Sequence, residues 1–526
     1  MQRIGFLCFG AVTIIAAFVQ AAEGPPVEVG DRRQVFADRF WLGQARDVAL
    51  VVHPPRKTGE ANIKTDRPWE KGGLGPYSSV MKLGEKYLMW YHAMDHKLWD
   101  SSPTAGSICL ATSSDGIHWD KPDLGLVEYQ GSRQNNIVIG HGAAGLTIGQ
   151  DGGMAFVDPN APPEERLKFV CRFNEDGDKD RVNLLSSPDG IRWRLTHPGA
   201  ITARPEAKGH HLDSQNVIFW DDQLRKYVCY VRRNLKGAVP QGRTVARGES
   251  EKVDGFGDVQ DMTIVLQPDD ADVAGNVTLV DYYSSAAIKY PFADGAYYLF
   301  PQAYYHYTHL LREFAEQVPT NAGSLDTQFA SSRDGLHWER FDRRPFIPLG
   351  LKGDFDCYST RVIYGMVPDR AGREIYMYYR GSDWLHGWDR NERNRELLTK
   401  AGVGADQDVT TLSRVVLRRD GFVSVRAGVR GGEFVTPPVT FTGRRLVINA
   451  DTSATGTIRL ELQSPGGEPI PGYALADADI IHTCNEINRV VKWKGGSDLS
   501  RLAGKPVRVR FVLKSADLYA FQFSGS

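Results

Sequence analysis

The sequence predicts an all-β protein, a five-bladed β-propeller followed by a C-terminal β-sandwich. Three observations predict it. A short turn phrase recurs along the chain, an aromatic strand recurs upstream of each copy, and both cease in a tail that still alternates apolar and polar residues.

The phrase is SSDGIHW at Ser113–Trp119, SSPDGIRW around Asp189 and SSRDGLHW around Asp334, with weaker copies VDGFGDV at Asp254 and RRDGFVSV at Asp420. Asp-Gly between two strand-like runs predicts a hairpin through a type I′ turn, in which both central residues take positive φ. Ile117 and Trp119 alternate with His118, as Ile191 and Trp193 do with Arg192 and Leu336 and Trp338 with His337. The tryptophan is therefore expected on the apolar face, packed into a sheet interface.

The second element is a six-residue strand: KYLMWY from Lys86, KFVCRF from Lys168, KYVCYV from Lys226, AYYLFP from Ala296 and EIYMYY from Glu374. Two elements, each occurring five times in one order, imply five tandem β-units. A period of this length, with Gly-rich turns and almost no helical periodicity, points to a propeller. The unit exceeds the roughly 40–50 residues of common propeller repeats, which leaves room for long loops at one mouth.

The domains follow in order. Residues 1–22, with Arg3, an apolar run from Ile4 to Val19 and the small pair Ala21-Ala22, read as a secretory leader too short to span a bilayer. Residues 23–60 are an N-terminal segment expected to pack on or complete the propeller, which occupies 61–425. The sandwich, 426–526, is read from alternating stretches such as RRLVINAD and KPVRVRFVLK. The expected location is secreted or periplasmic.

A formal charge of −1 over 526 residues provides no electrostatic footprint for nucleic acid or anionic membrane. A neutral partner fits better. Of six cysteines, Cys8 belongs to the leader, and the other five are widely spaced, several of them in apolar strand-like runs, where a buried thiol suffices. There is no HExxH, GxSxG or P-loop motif and no cysteine metal cluster. GHGAAG, Gly140–Gly145, is not followed by a helix and so lacks a phosphate site.

The informative carboxylates stand just before the first strand of each unit, where a propeller strand meets the central funnel: Asp66 and Glu70, Asp151, Asp213, Asp281, and Asp354 with Asp356. Like charges converging on a funnel repel, which should raise the pKa of some of them, as a general acid beside an ionised partner requires. Aromatic and histidine residues crowd the same places. Tyr282, His210, His211, Trp384 and His386 are candidate sugar contacts, since an aromatic face with a polar rim suits a pyranose or furanose ring.

With five units, these turn phrases and a C-terminal sandwich, the chain resembles the secreted five-bladed propeller glycoside hydrolases of the invertase/levanase and arabinanase/β-xylosidase type. The resemblance implies hydrolysis of a plant or algal oligo- or polysaccharide by carboxylates in the funnel. It implies a base or nucleophile at Asp66 or Glu70 and an orienting aspartate at Asp151. The third inner strand, where that group carries a glutamate acid, has Asp213 here, with Glu206 the nearest glutamate. Glu206, Asp281 and Arg361 join the expected substrate contacts.

No cofactor is required; a structural or central-channel ion such as calcium is compatible with the architecture. The displaced third-blade glutamate leaves a non-catalytic carbohydrate-binding propeller as the alternative. A sialidase-like activity is a minor third, because S-x-D-G-x-x-W is one residue short of the Asp-box and Arg361 and Arg380 could receive a carboxylate.

Overall fold

A computed structural model describes residues 24–94, 106–140, 148–173, 181–204, 212–235, 242–272, 280–306, 322–387, 396 and 410–525. The expected leader lies outside them, as do Glu206, His210 and His211. The described chain is almost wholly β, with a few single-turn 3-10 helices. No helix in it is long and apolar enough to cross a membrane.

All five aromatic segments form strands, each hydrogen-bonded to the strand before it: Lys86–Met94, Leu167–Phe173, Lys226–Asn234, Tyr297–Leu299 continued by Gln302–His306, and Glu374–Ser382. Those preceding strands, Ser79–Leu83, Ile148–Val157, Val217–Asp221, Val280–Tyr282 with Ile288–Lys289, and Ser359–Val362, gather side by side. Ser78 O accepts from Tyr364 N at 3.0 Å and from Gln215 Nε2 at 2.8 Å, and Tyr77 O accepts from Gly153 N at 3.0 Å. Contact this close requires glycine. A Cβ on Gly152 would lie 1.9 Å from Tyr77 O.

At one end of these first strands, residues from all five sheets, among them Val80, Phe156, Phe219, Ile288 and Tyr364, line a single cavity of about 1000 Å³. Its walls also take Arg32, Arg33 and Gln522 from the sheets formed by the two chain termini.

The turn phrases join neighbouring sheets. Trp193 of the second sheet packs edge-on against Trp90 of the first at 6.1 Å, and Trp90 Nε1 donates to Gly190 O at 2.7 Å. Trp338 of the fourth sheet meets Tyr230 of the third at 5.9 Å, and Tyr230 OH donates to Gly335 O at 2.8 Å. Trp119 of the first sheet meets Tyr378 of the fifth at 5.6 Å, where Tyr378 OH donates to Gly116 O.

The turn itself differs from the type I′ expectation. Only the glycines take positive φ, 72° at Gly116, 77° at Gly190 and 72° at Gly335, while the preceding aspartates do not. Each aspartate carboxylate accepts the amides two and three residues on instead, as Asp115 Oδ1 does from Ile117 N at 2.8 Å and His118 N at 2.9 Å. Ser113 Oγ accepts from Gly116 N at 2.8 Å. Side-chain acceptors thus do what a second left-handed residue would have done.

The weak copy at Asp420 is different again. It takes φ 59°, is fully buried, and accepts from Arg33 Nε at 2.5 Å and Tyr290 OH at 2.9 Å, tying the fifth sheet's end to the N-terminal segment.

The N-terminal segment divides between two partners. Arg56–Lys57 pairs with Thr410–Arg418 at the edge of the fifth sheet, whereas Val48–Val52 and Gln34–Val35 join a sheet with Val423–Ala427, Arg445–Asp451, Asn485–Val490 and Ala516–Ser524. Gln44–Arg46 joins a second sheet with Gly432–Val435, Thr457–Gln463, Ile481–His482 and Arg508–Lys514. Alternate residues of these two sheets are buried, and between them Phe434 stacks on Phe511 at 4.7 Å while Phe521 meets Phe511 at a tilt, at 5.8 Å. The C-terminal unit is therefore built from both chain termini, because an alternating apolar face needs a second sheet to cover it. Cys109, Cys171, Cys229, Cys357 and Cys484 are buried and free.

Candidate active site

At the other end of the first strands lies a cluster of buried polar side chains. Asp281 is 1% exposed and accepts from Arg243 Nη1 at 2.5 Å, from Arg243 N at 3.0 Å and from His306 Nε2 at 3.1 Å. Burial pushes its carboxyl upward, but the His306 hydrogen bond and the Arg243 charge outweigh it and hold Asp281 below the usual carboxylate range. Asp213, on the turn before Val217–Asp221, is bound by Arg232 Nη2; its side chain stays 27% exposed while that of Arg232 is 1% exposed.

Tyr283 stands at the centre. The guanidinium carbons of Arg243 and Arg361 lie 4.8 Å from its ring centroid, and that of Arg232 lies at 5.4 Å. His386 meets the same ring edge-on at 4.8 Å, and Tyr304 lies 5.8 Å away. Three cations on one aromatic ring are mutually repulsive, and the π face offsets only part of that repulsion.

His386 is held in place by its backbone, which exchanges hydrogen bonds with Gly323 at 2.9 and 3.1 Å. Burial, with Arg361, Arg243 and Arg380 close by, drives its pKa well below the ordinary value, so the ring is neutral near pH 7. A pocket of about 150 Å³ opens beside it, lined by Ser359, Arg380, Ser382, Trp384 and Leu385.

The sequence-derived candidates distribute unevenly over this site. Asp213, Asp281, Arg361, Trp384 and His386 come together here. Asp151 lies on Ile148–Val157, next to Gly152 and its contact with the first sheet.

Glu70 does not join them. It is fully buried, accepts from Tyr91 OH at 2.6 Å and Lys121 Nζ at 2.8 and 2.9 Å, and accepts the amides of Asp66 and Arg67. Asp66, with its side chain 61% exposed, shares that lysine at 2.7 Å. Both sit with Tyr91, and successive strand residues face opposite sides, so they occupy the face of the first sheet away from His92.

Tyr282 also points away, donating to Asp272 Oδ2 at 2.9 Å. Strand alternation places Asp281 and Tyr283 on one face and Tyr282 on the other. That parity was available in TLVDYYSS and identifies Tyr283. Asp354 and Asp356 face the loop before the fifth sheet, where Asp356 is bound by Lys57 at 2.7 Å and Tyr379 OH at 2.7 Å.

Three further residues escaped the sequence reading. Arg232 and Arg243 sit inside apolar strand runs without motif context. His92 is buried between Gly75 and Gly152 with neither ring nitrogen bonded, and burial together with Arg380 lowers its pKa to about 4.

Among the expected acids, Asp213 and Asp281 are paired with arginines, and Asp66, Glu70 and Asp356 with lysines. No group of three or more His, Cys, Asp or Glu among those residues is placed to hold a metal ion.

No protein-family model matches the chain, and no curated protein does. Solved structures it is similar to include a glycoside hydrolase at 11% identity, covering 69% of this chain and 92% of that one, with a TM-score of 0.42. Another is an N-acetylgalactosamine deacetylase from F. plautii in complex with blood group B trisaccharide, at 14% identity over 76% and 96%, TM-score 0.39. A third is an exo-β-1,3-galactanase from Phanerochaete chrysosporium with galactose, at 10% identity over 87% and 99%, TM-score 0.33.

Proposed function

We propose that the chain is a secreted glycoside hydrolase, a five-bladed propeller carrying a β-sandwich, whose reaction centre is the axial cluster around Tyr283. The observation that carries this reading is Asp213, the one carboxylate of the described cluster that keeps an exposed edge while a buried arginine holds it. An ion-paired carboxylate stays ionised at neutral pH, which suits a base or nucleophile rather than the acid. Asp213 takes that role, Asp281 positions Arg243 and His306, and Tyr283, Trp384 and His386 form the sugar-facing wall. Hydrolysis needs a second carboxyl to protonate the leaving oxygen; Asp151 and Glu206 are the candidates.

Sugar release from a panel of plant and algal glycans tests it. Asp213→Asn should lower turnover by about 100-fold or more, the loss expected for a missing acid–base group, and Asp151→Asn or Glu206→Gln should do the same. Asp66→Asn, on the lysine cluster, should retain wild-type turnover. Full activity in Asp213→Asn overturns the assignment.

The arginine pairing of both Asp213 and Asp281 supports a second reading, a carbohydrate-binding propeller without turnover. Calorimetry then shows glycan binding while no sugar is released from any substrate.

A further inference from the structure

Arg361 is 3% exposed, yet its Nε and one Nη find no hydrogen-bond partner, and its guanidinium lies 4.8 Å from the Tyr283 ring centroid, close to His386. It pairs directly across the strands with Arg380, and cross-strand partners lie on the same face of a sheet. Arg243 approaches the same ring and likewise has an unbonded Nε, its one bound carboxylate being Asp281. A guanidinium without a counter-ion is costly to bury, because desolvation is not repaid by a nearby charge. Its planar fork matches a carboxylate or sulfate with two parallel hydrogen bonds. A small pocket opens beside the cluster, lined by Arg380, Ser359, Trp384 and His386.

We propose that Arg361, flanked by Arg243 and Arg380, binds the acidic group of an anionic sugar unit, a uronate carboxylate or a sulfate ester. The inference rests on the axial cluster being the carbohydrate site and names the class of sugar it takes. The bound anion supplies the missing counter-charge for Arg361, while the hydroxyls and C–H face of the same ring meet Tyr283 and Trp384. A neutral sugar leaves the guanidinium unpaired and is discriminated against.

Titration calorimetry on the full chain with single sugars tests this apart from hydrolysis, since the probes contain no glycosidic bond. The probes are glucuronate, galactose 6-sulfate, glucose and galactose. At least one acidic sugar should bind about tenfold or more tighter than its neutral counterpart, the expectation for hydrogen bonds to a charged group. The tighter of the two acidic probes identifies the anion.

Arg361→Gln should bring acidic and neutral sugars to parity, and Arg361→Lys should keep part of the preference. Without ligand, Arg361→Met should melt above wild type, because it removes a buried charge that has no partner. Equal binding of acidic and neutral sugars by wild type, no binding of either acidic probe, a preference intact in Arg361→Gln, or a lower-melting Arg361→Met each overturns the proposal. Failure of the hydrolase reading registers separately, as absent sugar release with the acidic preference intact.

Discussion

Two sets of aspartates in this protein are both held by donors, but of different kinds. Asp115, Asp189 and Asp334 close the recurring turns, each accepting the amides two and three residues on and a serine hydroxyl. Asp213 and Asp281 sit in the buried polar cluster around Tyr283 and are held by guanidinium groups. Partial burial acts to raise the turn carboxyls, but the hydrogen bonds from the amides and side chains that follow outweigh it and hold all three below the usual range. The turn aspartates repeat because three of the contacts between neighbouring sheets use the same joint. The axial residues do not repeat, because a site needs different groups from different sheets.

The sharpest way to break this comparison is to remove one partner of the Arg243–Asp281 pair. Asp281→Ala leaves a buried guanidinium uncompensated and should cost about 3–5 kcal/mol in urea unfolding, with turnover lost as well. Trp193→Ala should cost a similar amount, about 3–5 kcal/mol, but turnover per folded molecule should be unchanged. Trp119→Ala should cost less than Trp193→Ala, since Trp119 is only half-buried. A turn variant that stays stable and loses activity would erase the distinction between the two sets.

Asp115→Asn should destabilise by about 1 kcal/mol, the worth of one amide-capping interaction, again without a change in turnover. The smallest effect is in the acid limb. A carboxyl whose folded pKa is depressed contributes stability that is fully present above its unfolded pKa of about 4 and is lost as pH falls toward the folded value. Wild type should therefore lose stability below about pH 4 more steeply than the Asp115→Asn, Asp189→Asn, Asp334→Asn triple variant, as followed by melting temperature against pH.

Much of this was legible in the chain. The five aromatic strands are strands, and the tryptophans of the three strong phrases pack into sheet interfaces. The turn geometry was misread, because a serine two residues ahead and the aspartate side chain itself supply acceptors that a rule based on φ alone ignores. The site was partly legible: Asp213, Asp281, Arg361, Trp384 and His386 were in view, Tyr283 required only strand parity, and Arg232 and Arg243 gave no local signal. Asp66 and Glu70 looked equivalent to the other acids until Lys121, some fifty residues onward, accounted for their charge.

Local pattern alone determined the strands, their recurrence and the change of character near Val425, since side-chain alternation and turn chemistry act over a few residues. The tertiary structure decided which charges meet. Arg232 and Arg243 belong to one sheet, Asp281 and Arg361 to separate strands of another, and their separations depend on how the first strands pack, down to the glycines that let those strands touch. Pairing energy depends on that distance and on exclusion of water, and neither is written in any one strand.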